Sequence, residues 1–122
     1  MLNSKKTLII GASENPERYA NKAFHRLTDH GHEVVMVGNK AGSIDGSPIQ
    51  IGMPTFIDID TITLYLNPKN QEAYYNYILK LKPKRIIFNP GTENDELAFM
   101  ANEKGIETLE ACTLVLLSIG QF

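Results

Sequence analysis

A single cysteine, Cys112, rules out an internal disulfide and any cysteine-rich zinc site. Positive charge is not in excess either: 12 Lys and Arg against 14 Asp and Glu leave a formal net charge of -2 and a pI near 5.9. So balanced a chain has no general attraction for polyanions, and nucleic acid and anionic membrane surfaces lack their usual electrostatic footprint. Long apolar runs are missing. The longest candidate, Leu114 to Ile119, contains Ser118 and falls far short of the roughly 20 residues that span a bilayer. The start Met1-Leu2-Asn3-Ser4-Lys5-Lys6 leads into a short strand without a signal-length apolar segment, so a cytoplasmic location and no membrane anchor are expected. Repeats and low-complexity stretches are absent, and residues 1–122 have the size of one domain.

What is present is an alternation of short apolar runs with longer helical patterns. Strands are expected at 7–11, 33–38, 61–66, 85–89 and 106–110. Asn21 to His30 predicts a helix with Ala23, Phe24 and Leu27 on one stripe and Gly31 ending it. A second helix, about 69–81, follows Asn67-Pro68 and stops before Pro83; a third runs from about 94 to 104 before Gly105. Strands separated in this way run parallel. The expectation is an α/β, Rossmann-like three-layer sandwich with a parallel five-stranded sheet in the order 3-2-1-4-5. The turn-rich stretch from Ala41 to Ile59 is read as a long connection with a short extended piece, its Met53-Pro54-Thr55-Phe56 part against the sheet edge.

In this architecture ligands bind outside the carboxyl ends of the strands. Four loops are expected to converge there: Gly11-Ala12-Ser13, Gly38-Asn39-Lys40, Leu66-Asn67-Pro68 and Asn89-Pro90-Gly91. The first ends an apolar strand and opens a helix, where backbone N–H groups and the helix's positive end can hold a phosphate. The dinucleotide fingerprint G-x-G-x-x-G is incomplete, with Ser13 and Pro16 where its second and third glycines stand. After the second strand an NAD site places Asp or Glu against the ribose, whereas this chain has Asn39-Lys40. An ammonium there favours a phosphorylated ribose, as in NADP or coenzyme A; the plain alternative is a solvated loop lysine.

The string Gly11-Ala12-Ser13-Glu14-Asn15-Pro16-Glu17-Arg18, followed by Gly38-Asn39-Lys40 and Ile51-Gly52-Met53-Pro54-Thr55-Phe56, resembles the small single-domain CoA-binding proteins. These are related to the CoA-binding domain of the succinyl-CoA synthetase alpha subunit, and the resemblance covers nearly the whole chain. Leu66-Asn67-Pro68, Asn89-Pro90-Gly91-Thr92-Glu93 and Cys112 add to it in the same order. It implies that Gly11, Ala12 and Ser13 hold the CoA diphosphate, that Asn39 and Lys40 face the adenosine and its phosphorylated ribose, and that pantetheine passes Leu66, Asn67, Pro68, Pro90, Gly91 and Thr92. No residue here matches the synthetase's phosphohistidine chemistry.

Arg18 is read either as a phosphate ligand or as an exposed helix arginine, and Ser13 and Asn15 as diphosphate donors, helix caps or both. Cys112 is read as inert and partly buried, with a mixed disulfide to a ligand thiol as the alternative. His25, His30 and His32 lack a matching ligand set and are read as surface or cap residues. Asp95 and Glu96, beside Glu93, suit a helix dipole, and Tyr74, Tyr75 and Tyr77 suit packing. The leading function is a non-catalytic binding or regulatory module for CoA or a short acyl-CoA, with a homo-oligomer or a protein partner left open. The alternatives are an NADP-binding oxidoreductase or its cofactor-binding fragment, and a structural subunit with a vestigial site.

Overall fold

The runs Thr-Leu-Ile-Ile and Thr-Ile-Thr-Leu are buried along their whole length, the signature of parallel strands covered on both faces. The computed structural model describes residues 4–122; Met1, Leu2 and Asn3, read above as part of the lead-in to the first strand, lie outside the described residues. In chain order the elements are β1 (Thr7–Ile10), α1 (Tyr19–Asp29), β2 (Val34–Val37), β3 (Gly42–Ile44), β4 (Ser47–Gln50) and β5 (Thr61–Leu64). There follow α2 (Pro68–Gln71), a 3-10 turn at Glu72–Tyr74, α3 (Tyr75–Leu81), β6 (Arg85–Phe88), α4 (Asp95–Glu103), β7 (Glu107–Glu110) and α5 (Thr113–Ser118). Side chains alternate across the sheet as strand geometry requires. Leu8 and Ile10 join Ile78 and Leu79 of α3 and Leu97 and Ala101 of α4 on one face, while Ile9 joins Ala23, Phe24 and Leu27 of α1 and Leu117 of α5 on the other.

The sheet is Rossmann-like and mostly parallel, but it has seven strands rather than five, in the order β3-β4-β2-β1-β5-β6-β7. The expected order put the strand at 61–66 outside the one at 33–38. It lies instead beside β1, with Thr7 opposite Thr61 and Ile10 opposite Leu64. The place next to β2 is taken by β4, and β3 closes the edge antiparallel to it. Both were hidden in the stretch read as a connection, because Gly42, Gly46 and Pro48 make strands of three and four residues look like loop. Asp45 and Gly46 have φ of 49° and 82°, the paired positive values of a two-residue type I′ hairpin turn. The Asp-Gly pair between buried Ile44 and Ile49 was the signal for it. Pro48 is tolerated because β4 joins the parallel ladder only at Ile49 and Gln50, so no lost N–H falls within it.

The other boundaries differ in detail. The helix expected at 69–81 is interrupted by the 3-10 turn, and α5 occupies a segment to which no element was assigned. Met53-Pro54-Thr55-Phe56 lies beneath α3 rather than along an edge strand: Tyr77 Oη donates to the Pro54 carbonyl at 2.6 Å, and Phe56 packs on the core of that face. Among the described residues no helix is long and apolar enough to cross a membrane.

His32 holds the entry to β1 by accepting from the Lys5 N–H at 2.9 Å through Nδ1, and its ring meets Phe122 at 4.9 Å. Burial, then the charges of Lys5, His30 and Arg85, hold its pKa below the usual 6.5. A folded pKa below the unfolded one means that this stabilisation is complete above 6.5 and is lost as pH falls through the folded value. The melting temperature of the native chain should therefore drop more between about pH 7 and pH 5 than that of His32→Asn. Parallel pH profiles for the two would assign the loss to other groups.

Candidate functional site

The switch point of the sheet lies at β1, from which the chain winds first toward β2 and β4 and later toward β5, β6 and β7. At the carboxyl end of β1 the amides of Gly11 and Ala12 both donate to the Val37 carbonyl, at 2.9 and 3.0 Å. Gly11 has φ of 96°, and a Cβ there would stand 2.9 Å from the Tyr65 carbonyl carbon. At Gly38 it would stand 2.6 Å from the Ala12 oxygen. Both glycines thus serve close contact between neighbouring loops. The amides of Gly11 and Ala12 are spent on the fold, and the first amide of the turn with no acceptor among the described residues is that of Ser13.

The rest of the turn is held by its own side chains. Ser13 Oγ accepts from the Asn15 N–H at 3.1 Å, Asn15 Oδ1 accepts from the Glu17 N–H at 2.9 Å, and buried Asn21 donates to the Ser13 carbonyl at 3.0 Å. These are caps, but of the turn at 13–18 rather than of α1. The N-cap of α1, Arg18, makes no side-chain cap bond, and no acidic residue stands in the first turn. The Asn21 N–H bonds back to the Arg18 carbonyl at 3.1 Å, so the amides of Tyr19 and Ala20 are the ones left without an acceptor among the described residues, with Glu17 one residue before the N-cap. On the hairpin side, Glu14 Oε2 accepts from the Ser43 N–H at 2.8 Å and its carboxyl rests against Gly42.

On the far side, Asn89 is buried beneath the loop that follows β6. Its Nδ2 donates to Thr63 Oγ1 and the Leu64 carbonyl, at 2.7 and 2.9 Å, and its Oδ1 accepts from the Thr113 N–H at 2.9 Å. The Asn89 carbonyl accepts from both the amide and the hydroxyl of Thr92. Asn67 caps α2 through the Asn70 N–H, with Pro68 at the first helical position.

Between these walls lies a cleft of about 710 Å³. Of the residues singled out from sequence, Gly11, Ala12, Ser13, Arg18, Asn39, Leu66, Asn67, Pro90, Gly91 and Thr92 line it; Asn15, Lys40 and Pro68 do not. Glu17, Tyr19, Ala20, Tyr65 and Asn70 also line it and were missed. Tyr19 and Ala20 were legible as the first turn of the helix after Arg18, and Tyr65 as the residue leaving β5. The Tyr65 hydroxyl is buried beside the Thr63 and Thr113 hydroxyls with no well-formed hydrogen bond among the described residues, and burial pushes its pKa up to about 12, so it stays neutral.

Cys112 is the N-cap of α5 and lies outside this lining. Asp95 and Glu96 occupy the first turn of α4, and Glu96 accepts from the Tyr75 hydroxyl. His25 faces Asp45 of the hairpin at 3.5 Å, and His30 Nδ1 lies 2.7 Å from the Arg26 carbonyl. A second depression, about 690 Å³, lies at the amino ends of β6 and β7. Lys82 and Lys104 line it and stand at the C-caps of α3 and α4, where cations offset the negative helix ends.

The family model described as "CoA binding domain" matches residues 5–118. A crystal structure of an uncharacterized protein is 55% identical, with a TM-score of 0.95 and 98% of each chain covered. A hypothetical protein from Pyrococcus horikoshii OT3 is 30% identical, with a TM-score of 0.80 over 93% of this chain and 81% of its own. A conserved hypothetical protein from Pyrococcus furiosus is 26% identical, with a TM-score of 0.77 over 91% and 97%. No curated protein matches the chain.

The crossing of the two glycine loops generates one stability test. Gly38→Ala places a methyl group against the Ala12 carbonyl and should cost about 1–3 kcal/mol, read as a lower urea midpoint at unchanged slope. An unaltered midpoint would mean that the turn yields freely.

Proposed function

The chain belongs to the CoA-binding domain family, and we propose that it is a non-catalytic, cytoplasmic binding or regulatory module for CoA or a short acyl-CoA. The observation that carries this reading is the cleft at the switch point, lined by the uncapped start of α1 and by Arg18. A helix terminus with unpaired N–H groups favours an anion, and a guanidinium adds directional bonds to phosphate oxygens. In this reading the diphosphate sits against the Ser13 amide, the first turn of α1 and Arg18. Gly11 and Ala12 shape the floor, and Asn15 acts through the turn it caps.

Asn39 faces the adenosine half. Lys40 is exposed next to it and reaches the ribose phosphate from the rim, so its charge acts through solvent and its effect is modest. The pantetheine arm follows Leu66, Asn67 and Pro68 on one side and Pro90, Gly91 and Thr92 on the other. An arm of this kind is slender and uncharged, which suits a passage walled by loop backbone.

Calorimetry with CoA, 3′-dephospho-CoA, NADP and NAD tests the reading directly, with CoA expected to bind tightest. Preference for NADP would overturn it in favour of a dinucleotide enzyme fragment, and no binding at all would leave a structural subunit. Lys40→Ala should weaken CoA by about two- to fivefold and leave 3′-dephospho-CoA unchanged. Arg18→Ala should weaken both by roughly tenfold. Equal losses for the two ligands in Lys40→Ala would reject the role given to that lysine.

A further inference from the structure

Gln71 is fully buried, and every polar atom of its amide is engaged. Its Nε2 donates to the Leu66 carbonyl at 2.9 Å and to the Thr92 carbonyl at 2.7 Å. Its Oε1 accepts from Asn94 Nδ2 at 2.9 Å. Asn94 gives its other hydrogen to the Tyr75 hydroxyl at 2.8 Å, which donates to Glu96 at 3.0 Å. Asn94 Oδ1 meanwhile caps α4 by accepting from the Leu97 N–H at 3.1 Å. The bonds of Gln71 to Thr92 and of Asn94 to Gln71 and Leu97 are buried, while the chain reaches solvent at Tyr75 and Glu96; at the buried end, removing one member leaves its partners unpaired at full desolvation cost.

The two carbonyls that Gln71 holds belong to different loops. Leu66 follows β5 and Thr92 follows β6, and both line the cleft. One NH₂ group therefore bridges the two walls from behind. With both of its hydrogens committed, it has none left for a ligand. We infer that Gln71 is a positioning residue that sets the separation of the Leu66 and Thr92 loops, and with it the fit of a slender, uncharged arm at that end of the cleft. This rests on the CoA reading above and assigns the pantetheine half of the ligand to the part of the site that Gln71 controls. The diphosphate end, at Ser13 and Arg18, touches none of these bonds.

The test uses Gln71→Glu, which keeps the shape but replaces the one NH₂ that donates to both carbonyls with a carboxylate oxygen facing them. CoA should bind about tenfold more weakly, while adenosine 3′,5′-bisphosphate, which has no pantetheine arm, should bind as it does to the native chain. If Gln71→Glu fails to fold by circular dichroism, Asn94→Asp decides. It retains the cap on Leu97, since an aspartate oxygen accepts equally well, but it withdraws the donor from Gln71 Oε1 and turns the amide over. The same split between ligands is expected. Equal losses for both ligands, or no loss for CoA in a folded variant, would overturn the inference alone. A native chain that binds no CoA would overturn the functional reading, and this inference with it.

Discussion

Two amides sharing one carbonyl hold the ligand edge of this molecule in place. Because Gly11 and Ala12 both donate to Val37, the chain leaving β1 must cross directly over the end of β2, so close that Gly38 has no room for a side chain beside the Ala12 oxygen, while on the other side Gly11 is held against the Tyr65 backbone. Everything downstream follows from that contact. It fixes the direction of the turn at 13–18, whose internal caps then deliver the start of α1 to the mouth of the cleft with no capping side chain and no acidic residue in its first turn, Glu17 standing just before the N-cap. The fold's own hydrogen bonds consume the first two amides of the turn, and the first amide without an acceptor among the described residues lies one step further along, at Ser13.

Much of this was legible in the chain, and the parts that were not share a cause. Runs such as Thr7–Ile10 and Arg85–Phe88 are too apolar and too short to be anything but buried strands, and the three-to-four spacing of Ala23, Phe24 and Leu27 marks α1 unambiguously. Strand ends fix loop positions, so most of the cleft lining could be named before any coordinates. The hairpin at 42–50 escaped because its pairing depends on a turn type, set by Asp45-Gly46, and not on periodicity. With it went the strand order, since an unseen β4 leaves the place beside β2 open to the wrong neighbour. The role of Gly11 was likewise invisible. A glycine after a strand reads the same whether a ligand or the protein's own Tyr65 backbone lies against it.

The two sides of the cleft are built by different means. Toward β6 the loops are tied by buried side-chain amides, with Asn89 and Gln71 each bonding to several backbone groups from inside the core. Toward β2 the hairpin is joined through exposed groups to the turn, by Glu14 to the Ser43 amide, and to α1, by His25 to Asp45. Buried amide networks are little screened by salt, whereas exposed contacts compete with water and ions.

The ladder between β2 and β4 contains only the pairs Met36–Ile49 and Val37–Gln50, whereas β1, β5 and β6 are joined by four pairs at each seam. Fewer pairs over a partly solvated edge mean a lower free energy of local opening at the hairpin than at the four-pair seams. Its amide hydrogens would exchange with solvent first. Any molecule that spans the cleft would slow that exchange by stitching the loosely held margin to the immobile centre, at the cost of the margin's motional freedom.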